Sequence, residues 1–118
     1  MAVLGVEHLD RAVDLFRRAY GWPAPQMGED AGLGARLAHF LGTPVTLAAA
    51  AHKGGWLAER LAQFGELPCA FLLGAADVDA MARRFPLVGS GAWFGRRVMW
   101  FDPARLKGIR MGLVAEGL

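Results

Sequence analysis

Val3-Leu4-Gly5-Val6-Glu7-His8-Leu9-Asp10-Arg11-Ala12-Val13-Asp14-Leu15-Phe16 is answered, at an offset of 69 residues, by Leu72-Leu73-Gly74-Ala75-Ala76-Asp77-Val78-Asp79-Ala80-Met81-Ala82-Arg83-Arg84-Phe85. Leu4/Leu73, Gly5/Gly74, Asp10/Asp79 and Phe16/Phe85 are identical in register. Each copy reads as an apolar strand, a glycine, a short acidic turn and a helix. Open-ended repeat arrays use periods of about 20–50 residues; two copies in 118 residues point instead to one domain made of two similar halves.

Around this pair the remaining elements fall into place. Residues 2–6 read as a strand. Leu9, Ala12, Val13, Phe16, Ala19 and Tyr20 keep helical spacing, and Gly21 stands where a C-cap belongs. Gly28 to Gly34 reads as a flexible connection, and residues 35–40 and 44–50 as a hairpin around Leu41-Gly42-Thr43. Gly54-Gly55 opens a helix carrying Trp56, Leu57, Leu61 and Phe64, which Gly65 closes. Pro68 to Leu73 is a third apolar strand. Val78, Met81, Ala82 and Phe85 mark the second repeated helix, ended by Pro86. Residues 92–94, 97–102 and 108–115 complete the second half. No linker or low-complexity tract interrupts the chain. A single domain over residues 1–118 is expected, with halves at about 1–53 and 67–118 joined by the helix at about 54–65.

Composition sets the outer limits. Hydrophobic residues make up 54% and charged residues 20%, which suits a folded, rather apolar domain and not a disordered one. The single cysteine, Cys69, excludes an internal disulfide framework. No charged-then-apolar leader is visible and no apolar run nears the roughly 18 residues of a membrane span, so the cytoplasm is the expected compartment. The net charge is only +2, yet residues 60–118 carry eight basic and five acidic side chains. A solvated basic surface accounts for that bias, with an anionic small molecule the next reading; no nucleic-acid partner is expected.

Val6-Glu7-His8-Leu9-Asp10-Arg11-Ala12-Val13-Asp14-Leu15-Phe16, followed by Tyr20-Gly21-Trp22, resembles the opening of the vicinal oxygen chelate superfamily. Asp77-Val78-Asp79-Ala80 is similar to the entry of its second-half helix. Trp100-Phe101-Asp102-Pro103 with Gly108 is similar to its closing hairpin, and Gly54-Gly55-Trp56 through Gly65-Glu66 to the helix between its halves. No one motif is specific, but their order and spacing cover nearly the whole chain. Glyoxalase I, methylmalonyl-CoA epimerase, extradiol dioxygenases, fosfomycin-modifying enzymes and bleomycin-binding proteins belong to that superfamily. The resemblance implies an α/β (α+β) fold of paired βαβββ modules, forming a curved mixed sheet with helices on the convex face and a ligand cavity on the concave one. A homodimer is the family's usual state.

The resemblance also implies metal ligands at four positions. Here those positions hold Met1, Thr46, Ala70 and Gly112. A thioether, a hydroxyl, a methyl and a bare backbone do not make a divalent-metal site. No metal and no cofactor are therefore expected. Alternation supports the placement: Ile109, Met111 and Leu113 share one strand face, and Arg110, Gly112 and Val114 the other. Small residues at the vacated centre suggest a hollow, mostly apolar cavity with Arg110 directed into it.

His39, Thr46, Ala70, Trp93, Trp100, Arg110 and Gly112 are the candidate ligand-binding residues. Trp93 and Trp100 would supply flat apolar area. His8 reads as a helix-start residue, His52 as a loop residue near the cavity, and Cys69 as a small buried hydrophobe. No serine or cysteine has a recognisable base beside it, so no catalytic residue is assigned. The expected function is metal-free binding or sequestration of a small, partly apolar molecule, anionic where Arg110 meets it. A superfamily enzyme (lyase, epimerase or dioxygenase) with an unrecognised active site, or a metal-free relative using His39 or Glu66 as general base, is the alternative, and an accessory or regulatory domain without ligand the third reading.

Overall fold

In the computed structural model, which describes residues 1–106 and 109–116, the repeated stretches head two units of one topology. The chain divides at Cys69 into Met1–Cys69 and Ala70–Leu118. The joining helix clusters with the first unit.

The first unit runs β1 (Ala2–Gly5), α1 (Leu9–Tyr20), β2 (Gln26–Asp30), β3 (Ala35–His39), β4 (Val45–Ala50) and α2 (Trp56–Phe64). Its strands lie in the order β2-β3-β4-β1, with β1 parallel to β4 and the other pairs antiparallel. In the second unit β5 (Pro68–Ala75), which begins in the last two residues of the first, leads to α3 (Val78–Arg84). β6 (Leu87–Trp93), β7 (Arg96–Phe101), a short 3-10 turn (Pro103–Leu106) and β8 (Arg110–Ala115) follow. The order β5-β8-β7-β6, with β5 parallel to β8, reproduces that of the first unit. Two βαβββ modules make an α+β fold, as the sequence leads one to expect.

Helical spacing in α1 buries one apolar stripe. Leu9 and Val6 join Ala38, Phe40, Leu47 and Ala49 in a core against which Leu4, Ala12, Val13 and Phe16 pack. Gly21 (φ 69°) ends the helix in the left-handed region, its N–H donating to the Arg17 carbonyl. The chain then turns so that Trp22 lies 5.0 Å from the Phe40 ring and 4.8 Å from Tyr20. In the second unit Asp77 caps α3 by accepting from the Ala80 N–H at 3.0 Å. α3 sets Val78 on Ala75 and Leu113, with Met81, Met99 and Phe101 around them.

Two strands differ from expectation. Residues 26–30 form β2 where a flexible connection is expected. Gln26-Met27-Gly28-Glu29-Asp30 lacks apolar alternation because it has one strand neighbour in its unit and little burial to drive one. β6 begins at Leu87, well before residue 92, because Gly89 (φ 68°) carries a bulge between Val88 and Ser90 that breaks the period. β8 starts at Arg110; Gly108, part of the expected last strand and closing hairpin, lies outside the described residues.

Candidate functional site

In each unit one sheet face packs on the repeated helix, and the candidate residues sit on the other. In the first unit that inner face carries Val3, Leu37, Thr46 and Ala48, all fully buried, with His39 5% exposed. The β3–β4 register sets His39 opposite Thr46, and the parallel β1–β4 register sets Val3 beside Thr46. His39 Nδ1 lies 2.9 Å from Thr46 Oγ1, which also donates to Met1 Sδ at 3.2 Å. α2 closes over this face: a Cβ added at Gly5 would lie 3.4–3.5 Å from the Leu61 and Leu57 side chains. Two of the candidate residues thus meet, together with Met1.

In the second unit Ala70 pairs with Arg110, Leu72 with Gly112, and Gly112 with Trp100. The open space expected above Gly112 is filled. A Cβ there would come within 2.8 Å of the Trp100 ring and 2.9 Å of Leu72, so glycine is what leaves room for the indole beside the strand. Trp93 stands edge-on to Trp100 at 6.1 Å and is fully buried, its indole Nε1 without a hydrogen-bond partner. Arg110 is half-buried, with Nε out of solvent. Alternation reports which face a side chain takes and not how far a neighbouring indole reaches.

The other titratable candidates lie elsewhere. His8 precedes α1 in extended conformation, its side chain making no cap. His52 is exposed, its Nδ1 donating to the Lys53 carbonyl at 3.1 Å. Glu66 accepts from the Glu7 N–H at 2.9 Å and borders a groove of about 630 Å³ on the α1 side of the first unit, lined also by Leu4, Leu15 and Leu67. That groove is not legible as alternation, since α1 supplies its wall through the exposed Leu15. Burial pushes the Cys69 thiol up from 9.0 to about 11, with Arg60 partly opposing. It is protonated at neutral pH and unsuited to nucleophilic attack.

The superfamily's metal does not fit these residues. At the corresponding positions only Thr46 offers an oxygen, and its hydroxyl already serves His39 and Met1. Among the described residues no three His, Cys, Asp or Glu side chains gather as a metal site would need. What the first unit does present is an imidazole anchored through Nδ1 on a buried strand face.

The chain superposes on methylmalonyl-CoA epimerase from Mycobacterium tuberculosis with a TM-score of 0.86 at 21% identity, over 99% of this chain and 86% of that one. The chain has the vicinal oxygen chelate fold. A Streptomyces coelicolor methylmalonyl-CoA epimerase variant holding 2-nitronate-propionyl-CoA gives 0.83 at 21% identity, over 98% and 92%. A hypothetical protein from Bacillus halodurans gives 0.82 at 10% identity, over 99% and 92%, so the fold is kept where the sequence is not. No protein-family model and no curated protein sequence matches the chain.

Proposed function

We propose that this chain binds a short acyl thioester or a related carboxylate and moves a proton at the carbon beside its carbonyl, with His39 as the base and no resident divalent metal. One observation carries the reading: of the three histidines, His39 alone is buried, on the inner face and anchored through Nδ1. The ligand class is supported by the epimerases that share the fold, one of which holds a CoA ester. Carbon-acid chemistry fits a neutral imidazole, whose ordinary pKa lies near the working pH.

The test is solvent deuterium incorporation at C2 of methylmalonyl-CoA, using protein stripped with a chelator. Exchange that survives stripping and vanishes in His39→Gln is the expected result. Exchange restored only by added metal, or unchanged in His39→Gln, would sink the reading. A second reading is binding or sequestration without turnover. Saturable binding of the same ester with no deuterium uptake would select it. We place the protein in the cytoplasm as a homodimer; no described helix is long and apolar enough to cross a membrane.

A further inference from the structure

The groove on the α1 side of the first unit is a built hollow away from the inner face. Its volume of about 630 Å³ falls in the range of small-molecule sites, which are apolar with a few placed polar groups. Leu4, Leu15, Phe16 and Leu67 form an apolar wall, and Leu15 and Leu67 are exposed along it. The rim is tied down twice. Gly5 N–H donates to the Leu67 carbonyl at 2.8 Å, and Glu7 N–H donates to Glu66 Oε2 at 2.9 Å. The second bond fixes the Glu66 carboxylate on the rim and leaves Oε1 without a partner among the described residues. Glu7, His8 and Arg11 border the groove too, but they also line a smaller hollow of about 300 Å³ with Asp10 and Arg36. Glu66 lines the groove and not that hollow. Glu7 and Arg11 carry opposite charges and offset each other, so Glu66 sets the sign.

We propose that this groove binds a small apolar amine, its hydrocarbon body along Leu4, Leu15 and Leu67 and its ammonium group on Glu66. The ammonium donates to Oε1 while Oε2 keeps the Glu7 N–H, since an ionised carboxylate accepts at both oxygens. An acid of the same shape would set its own carboxylate against Glu66. A second copy of the chain lying over the rim would bury the Glu66 charge unless it brought a cation to that spot. The groove is on the helix side of the sheet, opposite His39, and its ligand does not rest on the proposed function.

Leucine-methyl NMR at about pH 8, where an ordinary imidazole is neutral, reads the groove through Leu4, Leu15 and Leu67. Octylamine should shift those methyls saturably and bind about fivefold tighter than octanol, the size an ion pair at a solvent-exposed rim supports. Octanoate should bind more weakly than either. Glu66→Gln should bring the amine down to the level of the alcohol and keep the fold, because the amide oxygen still accepts from the Glu7 N–H. Leu15→Lys should abolish binding of the amine, and it opens no cavity because Leu15 is already half in water. Equal affinity of wild type for octylamine and octanol overturns the proposal by itself. So does tighter binding of octanoate, or a preference for the amine that survives in folded Glu66→Gln. Groove methyls that do not shift with octylamine overturn it as well; if Leu15→Lys then converts a dimer into a monomer, the groove is covered by a second copy.

Discussion

Cys69 shows at the scale of one residue how burial decides chemistry. Its thiol is 3% exposed at the start of β5, and loss of hydration raises its pKa from 9.0 to about 11 against the opposing charge of Arg60. The folded state therefore favours the protonated form. Its contribution to stability is fully present below pH 9.0 and is lost as pH rises towards about 11. A rise from 9.0 to about 11 sets the scale at roughly 3 kcal/mol. Chemical denaturation of wild type and Cys69→Ala across pH 8 to 11 should show the wild-type advantage shrinking over that window, and thiol alkylation at pH 8 should be slow until the protein unfolds. A pH-independent difference between the two, or rapid alkylation of the folded protein, would contradict the assignment.

At the scale of elements, the two halves offer a built-in comparison, because His8 and Asp77 occupy the same place in the repeat. Both stand at the N-cap of their helix in extended conformation, yet only Asp77 makes a side-chain cap. Asp77→Ala should cost about 1 kcal/mol, and His8→Ser should gain about 0.5–1 kcal/mol by capping α1, both measured by urea melts at constant m-value. Loss of stability in His8→Ser would show that the imidazole is held by something other than the helix start. The same two segments explain what the sequence made legible. Strand–glycine–helix order, Gly21 as a stop and the Leu41-Gly42-Thr43 turn all act locally, so β1, α1, β3, β4 and α3 could be read from residues alone. β2 and β6 could not, because an exposed edge strand and a glycine bulge remove the period that such a reading needs. The site divides in the same way. A hairpin turning at residues 41–43 already places His39 opposite Thr46. The reach of Met1 Sδ to Thr46, and of Trp100 across Gly112, are matters of packing that no spacing encodes.

For the whole molecule the open question is what covers its apolar surface. α3 has seven residues, about 10 Å of helix, whereas the eight residues of β5 extend for about 26 Å. The short helix covers Ala75 and leaves Phe71 and Leu73, on the same strand face, 39% and 51% exposed. α1 likewise leaves Leu15 58% exposed beside the groove that Leu67 borders in the first unit. Exposed large apolar side chains such as Phe71 and Leu73 are what an interaction site in a small domain uses, and a second copy of the chain is the partner that a 12.7 kDa domain always has at hand. Sedimentation at tens of micromolar should therefore give twice the chain mass. Phe71→Glu with Leu73→Glu should return a folded monomer, since both side chains are already half in water and their replacement opens no cavity. Wild type sedimenting as a monomer would remove the dimer altogether. A dimer that survives both glutamates would move its interface to another surface, with the α1 groove the next to be substituted through Leu15→Glu.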